Sequence, residues 1–318
     1  MKLGAFIIPT GIGASIGGFA GDASIWARRF AKKCNLIVNP NVVNAACFSG
    51  ITDNMLYVEG YSLDNFFQGK INLMKSENNK IGIIFDKAIK KDILNIHINT
   101  INAVKTVYGI NIIDHTITKE EVGVEFNIDN SGASVGNISN LDTLREAAVT
   151  IVKKGAEAIA IVCRFPEDDA EDLYSKGIGV DPVGGAEAII SHYISKEFNL
   201  PCAHAPAFDN VDITSEIVDS RCASEYITPT YLPCILLGLS QAPRFTNNNK
   251  YIKIDDLEFL ITPYNAIGSI PVLEMIKRNK PVYAIKENKT VLNVTPENFI
   301  SNCSVFDTYQ DLYYYLFK

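Results

Sequence analysis

Two kinds of apolar pattern divide the chain. Short, nearly unbroken apolar runs occur at residues 3–8 (LGAFII), 36–39 (LIVN), 80–86 (KIGIIFD), 157–163 (EAIAIVC) and 281–288 (PVYAIKEN); runs of this length fit strands buried on both faces of a parallel sheet, and INIIDHTIT at 110–118 reads as a further strand. Between them lie segments with a three-to-four-residue beat, at 23–34, 91–109 and 141–154. In the last of these Leu141, Leu144, Ala148, Ile151 and Val152 form one stripe, the mark of a helix lying on a sheet. Gly109 and Gly155 follow two of these segments as C-terminal stops. The segment 258–288 is a complete strand, loop, helix and strand, with Pro271 in the first turn of its helix. This alternation predicts an α/β fold of two lobes, each a mostly parallel sheet flanked by helices, with a ligand site in the cleft between them.

The polar run KINLMKSENNK ends near residue 80, where a lobe boundary is expected. Residues 1–80 and 211–318 then form the first lobe and 81–210 the second. Two weaker segments are assigned on composition. Residues 129–141 (DNSGASVGNISNL) read as a flexible loop, either a lid or a linker, and EYITPTYLPCILLGLSQAPRF reads as holding an apolar strand with a buried Cys234.

Composition narrows the partners. The chain has 318 residues, 47% of them apolar, and 36 acids against 29 bases give a net charge of −7. Lys and Arg do not cluster with aromatic residues, so nucleic acid is excluded as a partner. The apolar run before Pro9 is too short for a signal-peptide core or a membrane span, and no membrane partner is expected. Cysteines 34, 47, 163, 202, 222, 234 and 303 are scattered without a CxxC pair. That argues against a disulfide framework and a structural zinc site, and the simplest setting is the cytoplasm. No metal or other cofactor is expected, and a homo-oligomer is left open.

The candidate chemistry is concentrated in two places. After the first strand, the loop TGIGASIGGFAGD holds Thr10, Gly11, Gly13 and Asp22. Glycines let backbone N–H groups approach a ligand, and Asp22 is placed to cap the next helix; the spacing matches neither a dinucleotide fingerprint nor a P-loop. Asn39, Asn41 and Asn44 follow the second strand, and Glu59 follows a further apolar patch; at strand ends these either line a ligand crevice or make turns. Asn265, Glu287 and Asn288 close the strands of the C-terminal unit.

The second concentration spans residues 158–206. Cys163 ends a strand beside Arg164, and a thiol so placed is either a reactive group or a small buried hydrophobe. The acidic stretch PEDDAEDLYSKG reads as a solvated lid. Asp181, Gly184 and Gly185 then open a helix bearing Glu187 and His192, and LPCAHAPA places Cys202 and His204 on one side of an extended segment. A thiol and an imidazole suit general acid/base chemistry; the spacing fits no zinc pattern.

The strings PTGIGASIGGFAGDA, NPNVVNAA, YVEGYSLD, VDPVGGAEAIISH, LPCAHAPA and TPYNAIGSIPVLEMI resemble, over nearly the whole length, a bacterial, cyanobacterial and plastid family classed as a domain of unknown function. LREAAVTIVKKGAEAIAIVC is also similar to the second half of aspartate/glutamate racemase-like enzymes, which resemblance implies Cys163 as a catalytic thiol. The following Arg-Phe-Pro departs from that pattern, and Cys47 is off-register for the second thiol, so Cys202 or His204 would have to substitute. The expectation is therefore an isomerase- or racemase-like enzyme acting on a small anionic metabolite, with Cys163 and His204 as the acid/base pair and Glu187 and His192 in support. Alternatives are a cysteine-nucleophile hydrolase or lyase, and a non-catalytic protein binding a nucleotide or phosphorylated metabolite.

Overall fold

The computed structural model describes residues 2–167, 173–211, 213–298 and 303–318. Strands β1 (Leu3–Phe6), β2 (Asn35–Val38) and β3 (Met55–Tyr57) pair successively in parallel. The chain then crosses to a second sheet through β4 (Ile81–Phe85) and β5 (Ile112–Ile117). An antiparallel hairpin, β6 (Val124–Ile128) and β7 (Ser134–Ile138), precedes β8 (Ala158–Arg164) and β9 (Cys202–Ala207). Finally β10 (Phe259–Pro263), β11 (Val282–Ile285) and β12 (Cys303–Phe306) return to the first sheet. The orders are β12-β11-β10-β1-β2-β3 and β9-β8-β4-β5, parallel throughout.

Helices cover both faces, as parallel sheets require. Phe6 and Ile8 point into one apolar cluster with helices α1 (Ser24–Ala31) and α8 (Tyr309–Leu316), while Ala5 and Ile7 point into another with α2 (Gly60–Phe67) and α7 (Ile270–Lys277). On β8, Ile159, Ile161 and Cys163 face α4 (Leu141–Lys153) and α5 (Gly184–Phe198), and Ala158, Ala160 and Val162 join the cluster that also contains Phe6. That cluster runs from one sheet to the other. It includes α3 (Lys91–Tyr108) and the almost wholly apolar α6 (Leu232–Ser240).

Two expectations are corrected here. Cys234 lies on helix α6, not on a strand: LPCILLGLS is buried nearly all round, so it offers no periodicity to separate helix from strand, and Pro233 sits in its first turn, where proline fits a helix. The stretch 129–141 is not a free loop. Ser134–Ile138 is β7, paired with β6 and packed on α5, where a Cβ on Gly136 would lie 2.4 Å from the Ala186 Cα.

Candidate functional site

Where strand order reverses in a parallel sheet, the loops after neighbouring strands diverge and leave a crevice. The first sheet reverses between β1 and β10, and the glycine loop after β1 enters there. Its shape is set by buried amides. Asn39 accepts from the Ile8 N–H at 3.0 Å and donates to the Ile8 carbonyl at 2.7 Å. Asn288, fully buried, accepts from the Ile16 N–H at 3.1 Å and donates to the Ile16 carbonyl and the Tyr309 hydroxyl. Gly17 has φ +86°, and a Cβ there would meet Ile8 at 2.3 Å, so a side chain is excluded on two counts. The second sheet reverses between β4 and β8, but its crevice is stitched shut. The Asp86 carboxylate, 2% exposed, accepts from the backbone N–H groups of Ala88, Val122 and Arg164.

The open crevice leads into a cavity of about 830 Å3 bordered by the C-terminal ends of both sheets. Thr10, Gly11 and Gly13 line it from the glycine loop, Asn39, Asn41 and Asn44 from the end of β2, and Glu59 from beyond β3. The other wall carries Asp181, Glu187 and His192 at and within α5, and His204 on β9. Tyr174, Glu225, Tyr226 and Tyr231 complete it.

At its centre is a chain of hydrogen bonds. His204 Nε2 lies 3.5 Å from Glu187 Oε2, and Nδ1 lies 2.9 Å from Ser191 Oγ. Ser191 Oγ donates to Glu59 Oε2 at 3.4 Å, the Tyr57 hydroxyl donates to Glu59 Oε1 at 3.0 Å, and Asn44 donates to Tyr57 at 3.2 Å. The Ser191 hydroxyl also reaches the Ala188 carbonyl at 3.4 Å and the Glu187 carbonyl at 3.5 Å, and His204 Nδ1 donates to it or accepts from it according to tautomer. Burial alone would lower the His204 pKa, but Glu187 and Glu59 overcome it and hold the pKa at about 9. His192 behaves in the opposite way: burial first, then the charge of His204, pushes it down to about 4. Its ring lies against the start of α2, where a Cβ on Gly60 would come 2.3 Å from Nε2. Burial raises Glu59 and Glu225, and it lifts Asp181 to about 7 with Glu187 adding to the effect.

The sequence of a family described as "Protein of unknown function (DUF3326)" matches residues 4–313. The chain belongs to the DUF3326 family. A similar protein, an uncharacterized lipoprotein of Synechococcus sp., is 39% identical over 298 residues, covering 91% of this chain and 83% of its own. No solved structure matches the chain. The relative's name overturns the cytoplasmic placement drawn from the cysteines. Cysteines do not report the compartment here, because Cys34, Cys163, Cys202, Cys222 and Cys234 are all buried and burial protects a thiol in any compartment.

Several candidate residues of this DUF3326 chain lie away from the cavity. Cys163 is 1% exposed, does not line it, and has its thiol pKa pushed well up by burial, then by Asp86, Cys202 and Glu187. A thiol so shielded is a small apolar side chain rather than a nucleophile. Arg164 forms a two-pronged pair with Asp209, at 3.2 and 2.8 Å. Asp22 does not cap α1; its carboxylate accepts from the Gly17 N–H inside the glycine loop. Asn265 holds residues 290–292 by three hydrogen bonds, and Glu287 accepts from the Tyr309 N–H. Gly184 and Gly185 begin α5, and the Gly185 N–H donates to Ser134. Of the acidic stretch read as a lid, residues 168–172 lie outside the described residues. Among the described residues, no group of three or more His, Cys, Asp or Glu is arranged to hold a metal ion.

Sequence reasoning passed over Tyr57, Ser191 and Glu225. Tyr57 sits in an apolar run and Glu225 in an unpatterned segment, so neither carries a local signal. Ser191 stands four residues after Glu187, on the same side of the helix, and that spacing is the one signal the sequence carries for it.

Proposed function

We propose that this DUF3326 chain is an enzyme that moves a proton on a small metabolite held in the cavity, with His204 as acid and His192 as base. The observation that carries the reading is the wall they share: His204 is fixed between Ser191 at 2.9 Å and Glu187 at 3.5 Å, whereas the side chain of His192 has no hydrogen-bond partner among the described residues. Two like groups driven to pKa values of about 9 and about 4 present one proton donor and one acceptor together at neutral pH. Isomerase- or racemase-like chemistry remains the leading class, carried by imidazoles instead of the buried Cys163.

The test is proton exchange. Candidate metabolites are incubated with the protein in deuterium oxide and read by proton NMR. Deuterium should enter one carbon position, and His204→Asn and His192→Asn should each slow it by roughly 10²-fold or more, the usual contribution of a positioned acid or base. Exchange at the normal rate in both variants would refute the assignment.

A second reading, a ligand-binding protein stationed at a membrane, draws support from the relative's designation as a lipoprotein. A metabolite that binds tightly without exchanging any proton would favour it.

A further inference from the structure

The same cavity carries a charge that its ligand must answer. Glu59, Asp64, Glu167, Asp181, Glu187 and Glu225 line it, and among the described residues no lysine or arginine does. Among the described residues the one side chain in its wall that takes positive charge at neutral pH is His204, whose pKa is held at about 9 and which already meets Glu187 and Ser191. Arg221, the nearby guanidinium that acts on Asp22, is committed to Asp219 and to the Gly177 carbonyl, and stacks on Phe19.

Three further atoms in the wall, all buried, lack partners among the described residues: Glu225 Oε2, Asn44 Oδ1 and Ser269 Oγ. Asn44 Oδ1 is an acceptor, and Glu225 Oε2 becomes one once the carboxyl gives up the proton that burial favours; each then takes an N–H or O–H donor from an incoming molecule, while the Ser269 hydroxyl can donate or accept. Beside them stand aromatic faces: Tyr174, hydrogen-bonded to Glu225, and Tyr231, whose ionisation is opposed by burial and then by Glu225 and Asp181. Carboxylates, donor-hungry oxygens and aromatic rings together form the surroundings that favour ammonium and guanidinium groups. A dicarboxylate or phosphate would instead meet like charge in a water-poor site.

We infer that the ligand of this cavity carries an organic cation, an ammonium or guanidinium group seated among Asp181, Glu187 and Glu225 against the rings of Tyr174 and Tyr231. This rests on the reading of the cavity as the working site, and it reverses the anionic substrate expected from the glycine loop. A linked proton release follows. Asp181 faces Glu187, Glu225, His204, Tyr174 and Tyr231, and a cation placed among them favours the ionised carboxyls. Affinity for the cation therefore rises as pH climbs through about 7.

The experiment uses the full chain and two probe sets. Tetramethylammonium, putrescine, agmatine and arginine are compared with succinate, inorganic phosphate and ribose 5-phosphate by thermal shift and calorimetry. The expected result is stabilisation by cationic probes, with an enthalpy that depends on the buffer because protons leave. Asp181→Asn and Glu225→Gln, checked for folding by circular dichroism, should each weaken binding about tenfold, the loss of one charge-assisted contact. Stabilisation by the anions alone, no stabilisation by any cation, or unchanged affinity in both variants overturns the inference. The outcome is separable from proton transfer: cation binding without any deuterium exchange in the native chain would sink the catalytic reading while leaving this one standing.

Discussion

Cys163 and His204 show how depth separates two residues that look equivalent in a sequence. Both occupy the face of the second sheet that meets α5, but His204 reaches the cavity and Cys163 is sealed behind it. Cys163→Ala should cost about 1 to 2 kcal/mol through the small void it leaves, with ligand binding and proton exchange unchanged. Iodoacetamide should label Cys163 in the native chain only after denaturation. Rapid labelling of the folded protein at neutral pH, or loss of exchange in the alanine variant with folding intact, would restore the thiol as a catalytic candidate.

At the scale of elements, the hairpin β6–β7 acts as a brace for the first turn of α5, the helix that presents Glu187, Ser191 and His192. Ser134 Oγ donates to the Pro182 carbonyl at 2.7 Å and accepts from the Gly185 N–H at 2.9 Å, and the Ser134 N–H donates to the Gly11 carbonyl at 2.9 Å. One residue therefore ties the glycine loop, the hairpin and the helix start together. Gly136→Ala should test this brace, because its Cβ would sit 2.4 Å from Ala186 Cα and 2.6 Å from its nitrogen, and helix backbone cannot yield. The expected destabilisation is about 2 kcal/mol or more in urea melts. At Gly109 a Cβ would meet nothing within 4 Å and only φ +67° opposes it, so Gly109→Ala should cost about 1 kcal/mol. Equal costs at the two sites would show that the hairpin does not press on α5.

For the whole molecule, the buried acids set the direction in which stability depends on pH. Burial keeps Asp22 protonated to about 7, Asp64 to about 6 and Asp181 to about 7, against 3.8 for a solvent-exposed aspartate. The folded chain holds more protons than the unfolded chain across that window, so stability falls as pH rises through it. His204 works in the same direction: its contribution is complete below 6.5 and is lost as pH climbs through about 9. His192, lowered to about 4, opposes them only between about 4 and 6.5. The melting temperature should therefore be higher near about pH 6 than near about pH 8.5. The reverse order would mean that these groups are not buried in solution as they are here. A cationic ligand at a hundred times its dissociation constant should recover about 2.7 kcal/mol of the difference.

The sequence by itself determined what depends on neighbours along the chain. Strands β1, β4, β8 and β11 are legible because a strand covered on both faces must be apolar at nearly every position, and α4 because a helix on a sheet must repeat its stripe. The glycine loop and the asparagine after β2 are legible because a sharp change of direction needs special residues. Tertiary structure decided the rest. Glu59 meets Ser191 across 132 positions, and Asp181 from a loop and Glu225 from the short helix Ala223–Tyr226 reach the same cavity, so the carboxylate excess and the opposed pKa values of His204 and His192 are sums over residues that no local pattern connects. Charge acts through space in a water-poor cavity, and only the fold sets those distances.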